Sequence, residues 1–122
     1  MLFIILISLS VFLMAFCFLL YMFPPVEVLG ESMYPTLHDG EQVRGVRISH
    51  KKPLIINDIY VFRPPYTSGE DKYVVKRLIY IDYKGRLFFQ GDNADYSFDS
   101  RYYGLVPRKN VVAHVILKEE RK

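Results

Sequence analysis

Cysteine is almost absent from this chain: the only one, Cys17, lies inside a long apolar run. An intrachain disulfide is therefore impossible, and no pair of thiolates exists to build a structural zinc site. Histidine is nearly as scarce. His38, His50 and His114 have no cysteine partner and no H-x-x-x-H spacing, so each reads as a satisfied or solvated side chain, and neither metal nor cofactor is expected. Charged side chains are missing before Glu27, and no basic one occurs before Arg44, which leaves the positive-inside rule without a signal for orientation. After residue 24 no segment keeps a 3.6-residue apolar period, which argues against a helical domain. Internal repeats and low-complexity linkers are missing too.

The segment from Leu2 to Phe23, "LFIILISLSVFLMAFCFLLYMF", has no charge, glycine or proline. As a helix it would be ~33 Å long, enough to cross the ~30 Å hydrocarbon layer. A cleavable secretory signal has a shorter apolar core and a small-residue A-x-A site, whereas this run is long and ends in "MFPPVEV". The expectation is a retained single membrane span in residues 1–25, followed by one soluble domain in residues 26–122. That part carries all 16 basic and all 13 acidic residues, a net excess of +3. Such a mixed-sign surface does not fit a nucleic-acid partner, which needs basic residues gathered on one face, but permits modest attraction to anionic membrane lipid.

Pro24-Pro25 cannot continue a helix and starts an extended segment. Short β-favouring runs follow: "EQVRGVRI" (41–48), "DIYVF" (58–62), "KYVVKRLIYI" (72–81), "RLFFQ" (86–90) and "NVVAHVIL" (110–117). The turn signals between them are "HDG", "KKPLIIN", "RPPYTSGED", "DYKG" and a polar stretch from Gly91 to Gly104. This predicts a mostly β fold, a small antiparallel domain of five to seven strands on one N-terminal transmembrane helix. The tyrosines between Tyr60 and Tyr103 fit cross-strand packing with their hydroxyls at the surface.

Three stretches carry candidate chemistry. The first, "GESMYPTL", sets Ser32 a few residues beyond the apolar run. A serine hydroxyl is a weak nucleophile and needs a base that is unprotonated near neutral pH. The second is "KYVVKRLIYI", in which a period of two puts Val74, Lys76, Leu78 and Tyr80 on one face and Tyr73, Val75, Arg77 and Ile79 on the other. An amine between apolar neighbours is a candidate for desolvation, which lowers a lysine's affinity for its proton. A lysine snorkelling over a solvated strand face has the same pattern, and spacing alone leaves both open. The third is "QGDNADYSFDSRYYGLVP", Gln90 to Pro107, a polar loop in which Asp99 and Arg101 can pair across one residue.

In this order, "GESMYPTL", "NDIYVF", "VVKRLI" and "GDNADYSFDSRYYGLVP" resemble the sequence boxes of the bacterial type I signal peptidases and their mitochondrial inner-membrane relatives, the membrane-tethered Ser-Lys proteases. The resemblance spans Gly30 to Pro107. It implies a signal-peptidase/LexA-like β fold, Ser32 as nucleophile and Lys76 as general base. Ser97 falls where the family has a serine that orients the lysine amine. Asp99 and Arg101 match a structural acid-base pair, Gly91, Asp92 and Asn93 shape the same loop, and the neighbours Met33, Pro35, Val74 and Val75 are expected to contact substrate. The oxyanion would be held by the Ser32 backbone N–H. Some members add a hydroxyl two residues before the nucleophile, where this chain has Gly30.

Departures from the family pattern bear on the variety of enzyme. Asn57 stands where glycine is usual, a tolerable swap because asparagine also enters left-handed turns. The L-P-G-D turn after the lysine is missing, and Gly91 follows Lys76 by only 15 positions, too few for the second β domain of many bacterial members. Lysine in place of histidine as base points to the bacterial or mitochondrial kind rather than that of the endoplasmic reticulum. The resemblance therefore implies a monomeric signal peptidase I that removes signal peptides from exported preproteins on the extracytoplasmic side of the membrane. Other readings of the same features are a specialised maturase of one pilin or conjugation substrate, a LexA-like Ser-Lys autoprotease, and a non-enzymatic tethered β module.

Overall fold

The computed structural model describes residues 1–66 and 72–117. Part of the turn signal "RPPYTSGED" lies outside the described residues.

Helix α1 spans Leu2–Met22 and is about 32 Å long. It is apolar all round, and none of its residues is buried against the rest of the chain. A helix without a polar face has no side to turn to water, and this one is long and apolar enough to cross a membrane. Phe23 and Pro24 end it.

The remainder forms the strands β1 (Pro25–Glu27), β2 (Gln42–Arg47), β3 (Ile59–Phe62), β4 (Val74–Ile81), β5 (Leu87–Gln90) and β6 (Val111–Ile116), with a short helix α2 (Ser100–Tyr103) between β5 and β6. They make one six-stranded sheet in the order β1-β2-β6-β3-β4-β5, with every neighbouring pair antiparallel. All five strand segments expected from the sequence are present, trimmed by one or two residues at their ends. The extended segment after Pro24 adds β1 as an edge strand, a place where Pro25 does no harm to the ladder.

The sheet is covered on both faces. Along β3, Ile59 and Val61 join one apolar cluster with Val28, Met33, Leu37, Ala113 and Val115. The alternate residues Tyr60 and Phe62 join a second with Leu78, Leu87, Phe89, Val106 and Val111. Burial on both sides is why β3 reads as an unbroken apolar run rather than an alternation. Phe62 and Phe89 stack at 4.0 Å between ring centres in the second cluster, and burying each ring contributes about 2–3 kcal/mol.

Two expectations need correction. Tyr80 does not share a face with Leu78, because a register shift lies between them: Leu78 pairs with Phe89, whereas Tyr80 pairs with Phe88. The extra residue of the bulge reverses the alternation, so Leu78 is buried and Tyr80 is exposed, stacked on Phe88 at 4.9 Å. Nor do all tyrosine hydroxyls reach the surface. Tyr60 is buried, its hydroxyl accepts from the Ile55 N–H at 2.9 Å, and burial raises its pKa.

Candidate active site

Ser32 sits in a loop pinched at its base and pinned at its top. Val28 and Glu41 close the base, with the Val28 N–H donating to Glu41 O at 2.8 Å and the Gly40 N–H to Val28 O at 2.7 Å. Met33 and Leu37, one helical turn apart, are completely buried in the core and fix the orientation of the loop. Gly30 has φ +89°, a left-handed conformation suited to glycine, and its N–H donates to Asp39 Oδ1 at 2.8 Å. The Ser32 N–H has no acceptor among the described residues.

Lys76 reaches this loop from the middle of β4. Its Nζ lies 2.6 Å from Ser32 Oγ, across 44 positions of sequence. The side chain is only 6% exposed, which resolves the two alternatives that its spacing left open: the amine is buried, not snorkelling. Burial pushes its pKa below the ordinary lysine value, and the negative charge of Asp99 partly opposes that shift.

The stretch after β5 forms the wall of the site. It is more ordered than a plain polar loop, containing a 3-10 turn at Ala94–Tyr96 and then α2, whose N-terminus is capped by Asp99 accepting from the Arg101 N–H at 3.2 Å. Asp99 is completely buried. Arg101 grips both of its oxygens, Nε to Oδ1 at 2.9 Å and Nη2 to Oδ2 at 3.0 Å, while the Ser97 hydroxyl (2.6 Å) and the Gly91 N–H (2.9 Å) also donate to Oδ2. Burial alone would raise this carboxyl, but the donors from Arg101, Ser97 and Gly91 outweigh it and hold the pKa at about 2. Ser97 therefore directs its hydrogen bond to Asp99, and among the described residues it makes none to Lys76.

Gly91 lies where these parts converge. A Cβ on it would run into the Ser97 side chain and the Ser32 carbonyl. Next to it, Asn93 holds the serine loop by two bonds, its N–H to Ser32 O at 2.9 Å and its Nδ2 to Glu31 O at 3.0 Å.

The sequence pattern missed a second brace. Asp92 accepts from Thr36 Oγ1 at 2.5 Å and, bidentately, from Arg77 Nε at 2.8 Å and Nη2 at 2.6 Å. Arg77 also donates to Asn57 O at 2.5 Å, and Asn57 has φ 78°, the left-handed turn anticipated for it. One carboxylate thereby ties the serine loop to the strand that carries Lys76. The signal in the sequence was the basic residue directly after Lys76, with a carboxylate beside Gly91.

Of the residues expected to contact substrate, Pro35 is exposed and Val74 and Val75 are partly buried. Met33 is placed otherwise: its side chain is in the core and offers no surface.

The ion pair gives a graded test. Asp99→Ala is expected to destabilise the protein by about 2 kcal/mol, because it strands the Arg101 guanidinium and three other donors, and Ser97→Ala by about 1 kcal/mol. Since folding depresses the Asp99 pKa, its stabilisation is complete above the ordinary aspartate range and is lost as the pH falls toward about 2. Asp99→Ala should therefore flatten this part of the acid denaturation curve as well as lowering Tm. Equal stability of both variants and wild type in thermal melts at pH 7 would contradict this role for the loop.

Comparison with known proteins gives a consistent picture. The family model described as signal peptidase, peptidase S26, matches residues 1–81 and 83–118. Signal peptidase I of Buchnera aphidicola (from Acyrthosiphon pisum) is 40% identical over 63 residues, covering 52% of this chain and 19% of its own length. The probable signal peptidase I-1 of Synechocystis is 26% identical, covering 77% of this chain and 69% of its own length. The chloroplast thylakoidal processing peptidase 1 of Arabidopsis thaliana is 25% identical, with 77% of this chain and 41% of that protein aligned. This chain thus spans from about a fifth to about two thirds of the lengths of these relatives.

Proposed function

Because the chain belongs to the signal peptidase family, peptidase S26, we propose that it is a membrane-anchored serine endopeptidase, a signal peptidase I, that cuts signal peptides from exported preproteins with a Ser32–Lys76 dyad. The observation that carries this reading is the 2.6 Å contact between Ser32 Oγ and a buried Lys76 amine. Residues 1–25 are the anchor and residues 26–122 the catalytic domain, on the extracytoplasmic side.

The chemistry follows from the dyad. With Lys76 neutral, the Ser32 O–H donates to its lone pair and the proton moves to the amine as Oγ attacks the scissile carbonyl carbon. The resulting oxyanion takes a hydrogen bond from the Ser32 N–H. Collapse breaks the peptide C–N bond, and the lysine ammonium returns its proton to the departing amine. Water then attacks the acyl ester, passing a proton to Lys76, and Ser32 Oγ leaves and recovers it. Asn93, Asp92 and Arg77 keep the two reacting groups in register, and Asp99, held ionised, fixes Ser97 and Gly91 behind them.

An extended substrate binds as a strand beside the site. Small side chains are required one and three residues before the cut, a preference worth about 1–3 kcal/mol at each position. The test is product mass spectrometry on the detergent-solubilised protein with preproteins carrying Ala, Leu or Phe at those two positions. Wild type should cut after Ala-x-Ala and Ser32→Ala should not. Efficient cutting after Leu or Phe would overturn the signal-peptidase reading even with Ser32 as nucleophile.

A further inference from the structure

Helix α1 has no basic residue in its last turn, so its own segment offers no cation to the carbonyls at its C-terminus. Strand β2 supplies two. Arg47 Nε donates to Tyr21 O at 2.8 Å, and its guanidinium lies 4.3 Å from the centre of the Tyr21 ring. Arg44 Nη1 donates to Phe23 O at 3.0 Å. Between the two arginines, the Gly45 N–H donates to Pro24 O at 2.9 Å. The backbones approach so closely there that a Cβ on Gly45 would lie 3.2 Å from Val26 Cγ2 and 3.4 Å from Pro24 O. Only Phe23 and Pro24 separate the end of α1 from the start of β1, which is itself paired to β2.

These are the first two basic residues of the chain, and both are directed at the junction with the apolar helix. A guanidinium stays charged at any pH that the protein meets, and its planar fork can bond a carbonyl while stacking on a ring. Such charge-assisted bonds strengthen where the bilayer lowers the local dielectric. We propose that Arg44 and Arg47 are positioning residues that clamp the end of the membrane helix to the sheet. They fix the height and tilt of Ser32 above the bilayer, and so the distance from the membrane at which an anchored substrate is cut. The substrate part of this inference rests on the function proposed above; the clamp itself does not.

The full chain in lipid vesicles provides two readouts. In the first, a donor dye is placed on Tyr83→Cys, an exposed turn position, in a Cys17→Ala background, with acceptor dye on lipid headgroups. Wild type should give one narrow distance distribution, and Arg44→Ala/Arg47→Ala a clearly broader one. In the second, membrane-embedded preproteins with spacers of increasing length between apolar helix and cut are compared with a short soluble peptide. Wild type should favour one spacer length. The double variant should lose that preference and cut the best spacer about tenfold more slowly, while its kcat/KM on the soluble peptide changes less than about twofold. Arg47→Lys should restore little of the clamp, since a lysine ammonium lacks the planar fork that lies flat on the Tyr21 ring while its Nε bonds the Tyr21 carbonyl. Full rescue by lysine would mean that Arg47 serves lipid phosphates instead, and would overturn the clamp. Unchanged distance distributions in the double variant, or an equal loss on both substrates, would do the same. If wild type cuts neither substrate, the proposed function fails, and the dye distances still decide the clamp.

Discussion

Lys76→Ala is expected to reduce kcat/KM on a preprotein by at least about 10³-fold, and Ser32→Ala by a similar factor, because each removes one half of a unit whose parts act together. Lys76→Arg should be equally inactive, since guanidinium does not give up a proton in this range. None of these losses should come from unfolding. Lys76→Met is the informative control: it fills the same buried space without an amine. Folding depresses the Lys76 pKa, so between that lowered value and the ordinary lysine value the unfolded state binds more protons than the folded one, and stability falls as the pH is lowered through this window and stays reduced below it. The methionine variant escapes that penalty. It should be inactive and at least as stable as wild type in thermal melts at neutral pH. An active Lys76→Met or Lys76→Ala protein with an intact circular dichroism spectrum would remove Lys76 from the mechanism.

Gly91→Ala should damage the site nearly as severely by a different route. The position has no unusual backbone angle; what it lacks is space, because an added methyl meets Ser97 on one side and the Ser32 carbonyl on the other. Overpacking of this kind costs about 1–3 kcal/mol, and displacing Ser32 relative to Lys76 by even a fraction of an ångström should lower kcat about 10²-fold. Gly85→Ala separates the two effects. Gly85 has φ +78° in the turn between β4 and β5, with open space around it, so alanine there should cost about 1 kcal/mol of stability and leave kcat unchanged. A Gly91→Ala enzyme with wild-type kcat would contradict the close packing described for this wall of the site.

The strands were legible because burial on one or both faces imposes a pattern on each, and because turn residues separate them. Three-residue β1 was not, since "PVE" is too short to show a period, with Val26 alone turned toward the core between two exposed neighbours. The bulge at Ile79 was invisible as well. A bulge changes register without changing composition, so Tyr80 was placed on the wrong face. The positions of Ser32 and Lys76 could be picked out as chemically unusual, but their separation is set by two long connections and a core made by Met33 and Leu37, which no spacing rule encodes. The same holds for the Thr36–Asp92–Arg77 brace, whose members come from three separate segments. Asp99 and Arg101, two residues apart, were foreseen as a pair because their contact is local.

The central claim is that Lys76 is a buried amine that can be neutral when it must accept the Ser32 proton. Direct titration of its side chain by NMR, with isotope-labelled lysine assigned through Lys76→Met, tests it most closely when set beside the pH dependence of kcat/KM. The expected result is an amine that titrates below the ordinary lysine value, at the same pH where kcat/KM rises to an alkaline plateau. An amine titrating at or above the ordinary value, or an activity rising at about 6.5 with His38 or His114 in place of Lys76, would contradict the account.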